Sequence, residues 1–155
     1  MLRDRPAQLY ATLGEGRIRD TLEANWPMPR LNRPVLLHGD FWSGNTLWHV
    51  GKLVGVIDWE DAAVGDPLAD LGNSRLEILW AFGVDAMCRF TQHYQSLTGV
   101  DMTDLPYWDL CATLRPIGAL SGWGLDVADE NRMRGQLHFF VERACVSIEA
   151  ASAGM

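Results

Sequence analysis

The sequence predicts an α+β fold that is mainly helical, with one small β-hairpin. Three observations predict it. From Asp66 onward, apolar residues recur at steps of three and four along several stretches, the period of one helix face. Between Thr46 and Ile57 the chain is instead rich in β-branched and aromatic residues and is divided once, at Gly51-Lys52, as two strands joined by a tight turn are. The 155 residues, 48% of them hydrophobic, suffice for one domain with its own core, and no repeat, low-complexity run or linker divides them.

Taken in order, residues 4–25 carry a partial helical stripe, Leu9, Leu13, Ile18 and Leu22, broken around Gly14 and Gly16, which predicts two short helices. Trp26-Pro27-Met28-Pro29 ends them, because proline disfavours helix in the residue before it. Val35 to Leu37 form a short apolar strand that gives way to a loop at His38-Gly39-Asp40. The hairpin follows, with strands Thr46–Val50 and Leu53–Ile57. Asp66-Pro67 opens a helix through Leu68, Leu71, Arg75, Leu79 and Phe82, which Gly83 interrupts. A further helix runs from Val84 to Leu97 and closes at Gly99. Another opens at Asp104-Leu105-Pro106 and stops before Pro116. The last begins near Asp129 and runs through Leu137, Phe140 and Ile148. These stripes are core packing.

The formal net charge is −7 and the pI about 4.9, which argues against nucleic-acid binding and suits a cationic small molecule. Cys88, Cys111 and Cys145 are odd in number, widely spaced and set in apolar helical stretches, as buried thiols of a reducing compartment are. The first residues lack the apolar core of a signal peptide, and no apolar run reaches membrane-spanning length, so a cytoplasmic location is expected.

The stretch from Leu36 to Leu71 carries the chemistry. Asp40 leaves a buried strand, Asn45 follows five residues later, and the hairpin returns the chain so that Asp58 lies near Asn45. In-line phosphoryl transfer needs a carboxylate to orient the attacking hydroxyl and take its proton, and oxygen ligands to hold magnesium against the phosphates. One Asp and one Asn suffice as protein ligands, because magnesium keeps several waters and takes the rest from phosphate. Each residue alone reads as a turn former or helix cap; their order and spacing together do not.

His38-Gly39-Asp40 with Asn45, then Ile57-Asp58-Trp59, then Gly65-Asp66-Pro67 with Asp70-Leu71, resembles the C-terminal lobe of the aminoglycoside phosphotransferase and choline kinase-like small-molecule kinases. The resemblance is close over some 35 residues and otherwise only a run of helices. It implies a protein-kinase-like C-terminal lobe, with Asp40 as catalytic base and Asn45 and Asp58 as Mg²⁺ ligands. It further implies that Asp70 accepts hydrogen bonds from the catalytic-loop backbone and that ATP donates the phosphoryl group to a small-molecule hydroxyl. Asp66 reads as a turn or cap, His38 as structural, and Phe41, Trp42 and Trp59 as packing. Where relatives often carry proline, this chain has Ser43. In that picture the later helices help to build the acceptor pocket, so Trp123, Asp126 and Glu130 are candidate substrate contacts, weighed against plain surface solvation.

The partner such a lobe requires is a nucleotide-binding lobe, with a glycine-rich strand pair over the phosphates and a strand lysine. Gly14-Glu15-Gly16 lacks flanking strands, and Lys52, the one lysine of the sequence, falls in the hairpin turn. The expectation is a C-terminal lobe whose own turnover is small, since losing phosphate cover and lysine removes on the order of several kcal/mol of positioning and charge stabilisation. The rival expectation is a non-catalytic binding or interaction module derived from such a lobe.

Overall fold

The computed structural model describes residues 5–29 and 31–154. Among the described residues it is mainly helical, with four short strands, and it forms two compact units. Among the described residues no helix is long and apolar enough to cross a membrane.

The first unit comprises residues 1–29 and 103–155. It begins with a 3-10 turn, Ala11–Leu13, and the helix α1, Glu15–Asn25, divided at Gly14, whose φ of 69° no β-branched residue adopts cheaply. Gly16 lies inside α1, so one glycine makes the break that the sequence spread over two. The expected segment starts at Asp4, which lies outside the described residues. Buried Arg19 is paired with Glu15 at 2.8 Å, and Glu15 also accepts the Tyr10 N–H at 2.9 Å, so its charge is compensated twice. Beyond residue 102, the next two helices of the chain are α4, Leu105–Thr113, and α5, Val127–Ala153. Ile18, Leu22, Leu110, Leu137, Phe140 and Val141 are almost wholly removed from water here. The last helix starts earlier than expected. Asp126 is its N-cap and accepts the Asp129 N–H at 2.8 Å, so Asp129 is already in the first turn.

The second unit comprises residues 30–102. β1, Val35–Leu37, pairs antiparallel with β4, Ala63–Gly65, in the register Val35↔Gly65 to Leu37↔Ala63. This second ribbon was not expected from the sequence. The hairpin pairs β2, Thr46–His49, with β3, Lys52–Val56, with an irregularity between Leu47 and Trp48. Its turn is Val50-Gly51, at φ of 48° and 70°, rather than Gly51-Lys52. A two-residue connection that follows the strand twist needs both residues left-handed, and this shifts the turn by one residue. Two helices follow, α2, Leu68–Phe82, and α3, Val84–Thr98, with Gly83 (φ 84°) between them and Gly99 (φ 65°) closing α3. α2 packs on α3 and buries Leu68, Leu71, Leu76, Leu79 and, from α3, Met87. Buried Arg75 reaches the Thr91 hydroxyl across that contact. Asn32 ties the start of the unit to its end, donating to the Asp101 carbonyl at 3.0 Å and accepting the Asp101 N–H at 2.9 Å.

Candidate active site

The site grows from the loop after β1. Asp70, in the first turn of α2, takes both leading amides of that loop on its carboxylate: His38 N–H on Oδ2 at 2.6 Å and Gly39 N–H on Oδ1 at 2.9 Å. Asp66 makes the turn that starts the helix, its Oδ1 accepting the Leu68 N–H at 2.9 Å. Burial, reinforced by the carboxylates of Asp70 and Asp66, pushes the Tyr94 hydroxyl above its ordinary pKa. Gly39 has φ 83°, and a Cβ there would stand 2.3 Å from the Asp61 carbonyl oxygen. Only glycine lets the loop pass this close to another backbone.

His38 is 3% exposed and joins two segments. Its Nε2 lies 2.8 Å from the Ile57 carbonyl oxygen, which can only accept, so Nε2 carries the hydrogen. Its Nδ1 then accepts the Asp40 N–H at 3.3 Å. The ring is flanked by Phe41, edge-on at 5.9 Å, and by Trp59 at 4.6 Å, whose own Nε1 donates to the Val56 carbonyl at 2.9 Å.

Asn45 closes the 3-10 turn Ser43–Asn45 and is 6% exposed. Its Nδ2 donates to the Asp40 carbonyl at 2.9 Å, and its backbone carbonyl accepts the Ile57 N–H at 3.0 Å. The Asp40 carbonyl can only accept, so the atom of the Asn45 amide that faces it is Nδ2 and not Oδ1. Ile57 is thus held at both its N–H and its C=O, which fixes the residue that follows. That residue, Asp58, has φ 66°, a left-handed conformation that Asp adopts more readily than most side chains. Asn45 is thus hydrogen-bonded both to Asp40 and to Ile57, the residue before Asp58.

An amide oxygen and a carboxylate are the hard donors that magnesium takes, so in donor chemistry Asn45 and Asp58 suit that ion, which draws the rest of its shell from water and phosphate. Among the described residues no group of three or more His, Cys, Asp or Glu is arranged to hold a metal.

Three relationships have no counterpart in the sequence reading. Gly39 against Asp61 is one and Trp59 against His38 another. The third is Ser74, 4% exposed, whose hydroxyl is 2.8 Å from the Asp70 carbonyl and 3.3 Å from that of Phe41. A serine four residues after Asp70 was the available signal. Trp123, Asp126 and Glu130 belong to the first unit. Trp123 is 46% exposed, and Asp126 is occupied as the cap of α5. Glu130 accepts two hydrogen bonds from Arg134, at 2.9 and 2.7 Å, and one from Ser121 at 3.0 Å; the Arg134 guanidinium holds its carboxyl below the usual range.

The phosphotransferase enzyme family (APH) matches the chain over residues 2–107. Acyl-CoA dehydrogenase family member 11 of Rattus norvegicus is 31% identical over 87 residues, 52% of this chain and 11% of that protein. Acyl-CoA dehydrogenase family member 10 of Mus musculus is 43% identical over 51 residues, 32% of this chain and 5% of that protein. Viomycin phosphotransferase of Streptomyces vinaceus is 37% identical over 71 residues, 41% of this chain and 24% of that protein. The chain therefore spans at most about a quarter of the length of these three relatives. No solved structure gives a significant match.

Proposed function

Since the chain belongs to the phosphotransferase enzyme family, which it matches over residues 2–107, we propose that it forms the metal- and acceptor-side C-terminal lobe of an ATP-dependent phosphotransferase acting on a small-molecule hydroxyl. The observation that carries this reading is the double clamp on the loop bearing Asp40: Asp70 holds its start through two amides, and Asn45 holds the Asp40 carbonyl. Such a clamp keeps a base in one place, and most of the catalysis of phosphoryl transfer is positioning and charge stabilisation.

In this reading Asp40 orients the acceptor hydroxyl and accepts its proton. Asn45 Oδ1 and the Asp58 carboxylate hold Mg²⁺. When bound, the ion neutralises charge on the donor's phosphate oxygens. Asp70 and His38 act on the loop rather than on the substrate. Asp126 and Glu130 are accounted for by the helix cap and the Arg134 pair, so no acceptor role is assigned to them. The nucleotide is completed by a second lobe with a phosphate-covering loop, and viomycin phosphotransferase supports a small-molecule acceptor.

The test pairs this chain with such a lobe and substitutes Asp40→Asn. Turnover falls by roughly 10²–10⁴-fold while the circular dichroism spectrum is unchanged, the loss expected when a general base is removed. Turnover that survives the substitution refutes the base assignment. A wild-type assembly that binds an amine but ignores MgATP shows a binding module instead.

A further inference from the structure

A cavity of about 430 Å³ lies within the second unit, between the loop after Asp40, the β2–β3 hairpin and α2. Phe41 and Trp42 of the loop, Trp48 and Leu53 of the hairpin, and Ile78 and Phe82 of α2 line it, so four of these six side chains are aromatic. The volume falls in the range of small-molecule sites, about 300–1,000 Å³. Trp42, Trp48, Leu53 and Phe82 are each between 42% and 67% exposed. Large apolar side chains left in water around one concavity mark a surface that binds.

Two of the rings are set by their neighbours before anything enters. Trp48 stands opposite Leu53 in the hairpin register, and its Nε1 donates to Thr46 Oγ1 at 3.1 Å, which orients the indole. A Cβ at Gly44 would stand 2.3 Å from the Trp42 ring, so the missing side chain leaves that indole its place beside the turn. Rings already in position lose little freedom when a ligand arrives. An aromatic guest then gains stacked or edge-to-face contacts with them in addition to the burial that any apolar guest of its size would gain. Glu77, the one ionisable residue of the lining, has a partner of its own, and no preference for charge follows from it.

We infer that this cavity is a binding site for a small apolar aromatic molecule of one or two fused rings, held among Trp42, Trp48 and Phe82. The inference goes beyond phosphoryl transfer and uses neither the base nor the metal ligands, so either reading can fail alone.

An NMR titration of the full chain with 1-naphthol, with its saturated counterpart decahydro-1-naphthol and with glucose tests the inference. 1-Naphthol shifts the indole N–H signals of Trp42 and Trp48 saturably and binds about threefold or more tighter than the saturated alcohol. Glucose leaves both signals in place. Ile78→Trp, which fills the cavity, and Trp48→Ala, which removes an exposed wall without touching the core, each weaken 1-naphthol by about tenfold or more. If one variant does not fold, the other decides. Absence of a saturable shift, a shift confined to other indoles, equal binding of 1-naphthol and its saturated counterpart, glucose binding as well as 1-naphthol, or affinity unchanged in a folded variant overturns the assignment. So does a dimer of the chain that 1-naphthol dissociates, which would make a second copy the occupant.

Discussion

The backbone N–H of His38 donates to the Asp70 carboxylate over 2.6 Å although 32 positions separate the two residues. With the Gly39 amide on the other oxygen, this carboxylate is where α2 grips the loop that carries Asp40. Asp70→Ala leaves two amides without their ionic acceptor, which costs roughly 2–5 kcal/mol by denaturant unfolding. Asp70→Asn keeps one acceptor and costs about half as much. Equal stability of Asp70→Ala and the parent would mean that the grip does not exist.

Gly39→Ala meets two obstacles at once, the positive φ of 83° and a backbone oxygen 2.3 Å from the new Cβ. A backbone atom cannot rotate aside as a side chain can. A loss of about 2 kcal/mol or more is expected, with chemical-shift changes reaching Asp61. A loss under about 0.5 kcal/mol would show that the two loops are not in contact.

Val50 is a β-branched residue at φ 48°, 85% exposed, in a turn that needs two left-handed residues. Asparagine tolerates that conformation and valine does not. Val50→Asn therefore stabilises the chain by roughly 0.5–1.5 kcal/mol, read as a raised denaturation midpoint. An unchanged or lowered midpoint contradicts the turn.

Burial pushes the Cys111 thiol from 9.0 up to about 11. The unfolded chain ionises first, so the folded state loses stability as pH rises from about 9 to about 11, and nothing from this group below that window. Unfolding measured at pH 8, 9, 10 and 11 in the parent and in Cys111→Ala shows the slope in the parent alone. An identical slope in both assigns it to another group.

What the sequence made legible follows from what is local. The helices α2, α3 and α4 are marked by apolar stripes and by Gly83, Gly99 and Asp104 at their ends, and the order Asp40, Asn45, Asp58 is visible because each motif is contiguous. β4 was invisible. Ala63-Val64-Gly65 has no strand character of its own and is a strand because it pairs with β1. The turn was misplaced by one residue because valine at Val50 hides a left-handed position. The Gly39–Asp61 approach, the Trp59–His38 contact and the Ser74 bond depend on segments far apart in the chain, and no spacing rule reports them.

The central claim is that Asn45 and Asp58 together seat a divalent ion beside Asp40. Titrating the chain with Mn²⁺ in place of Mg²⁺ and following paramagnetic broadening in its NMR spectrum tests this most directly. The account predicts broadening centred on the Asn45 side-chain amide and the amides of Asp40 and Asp58, lost in Asp58→Ala. Broadening centred elsewhere, or unchanged by that substitution, contradicts it.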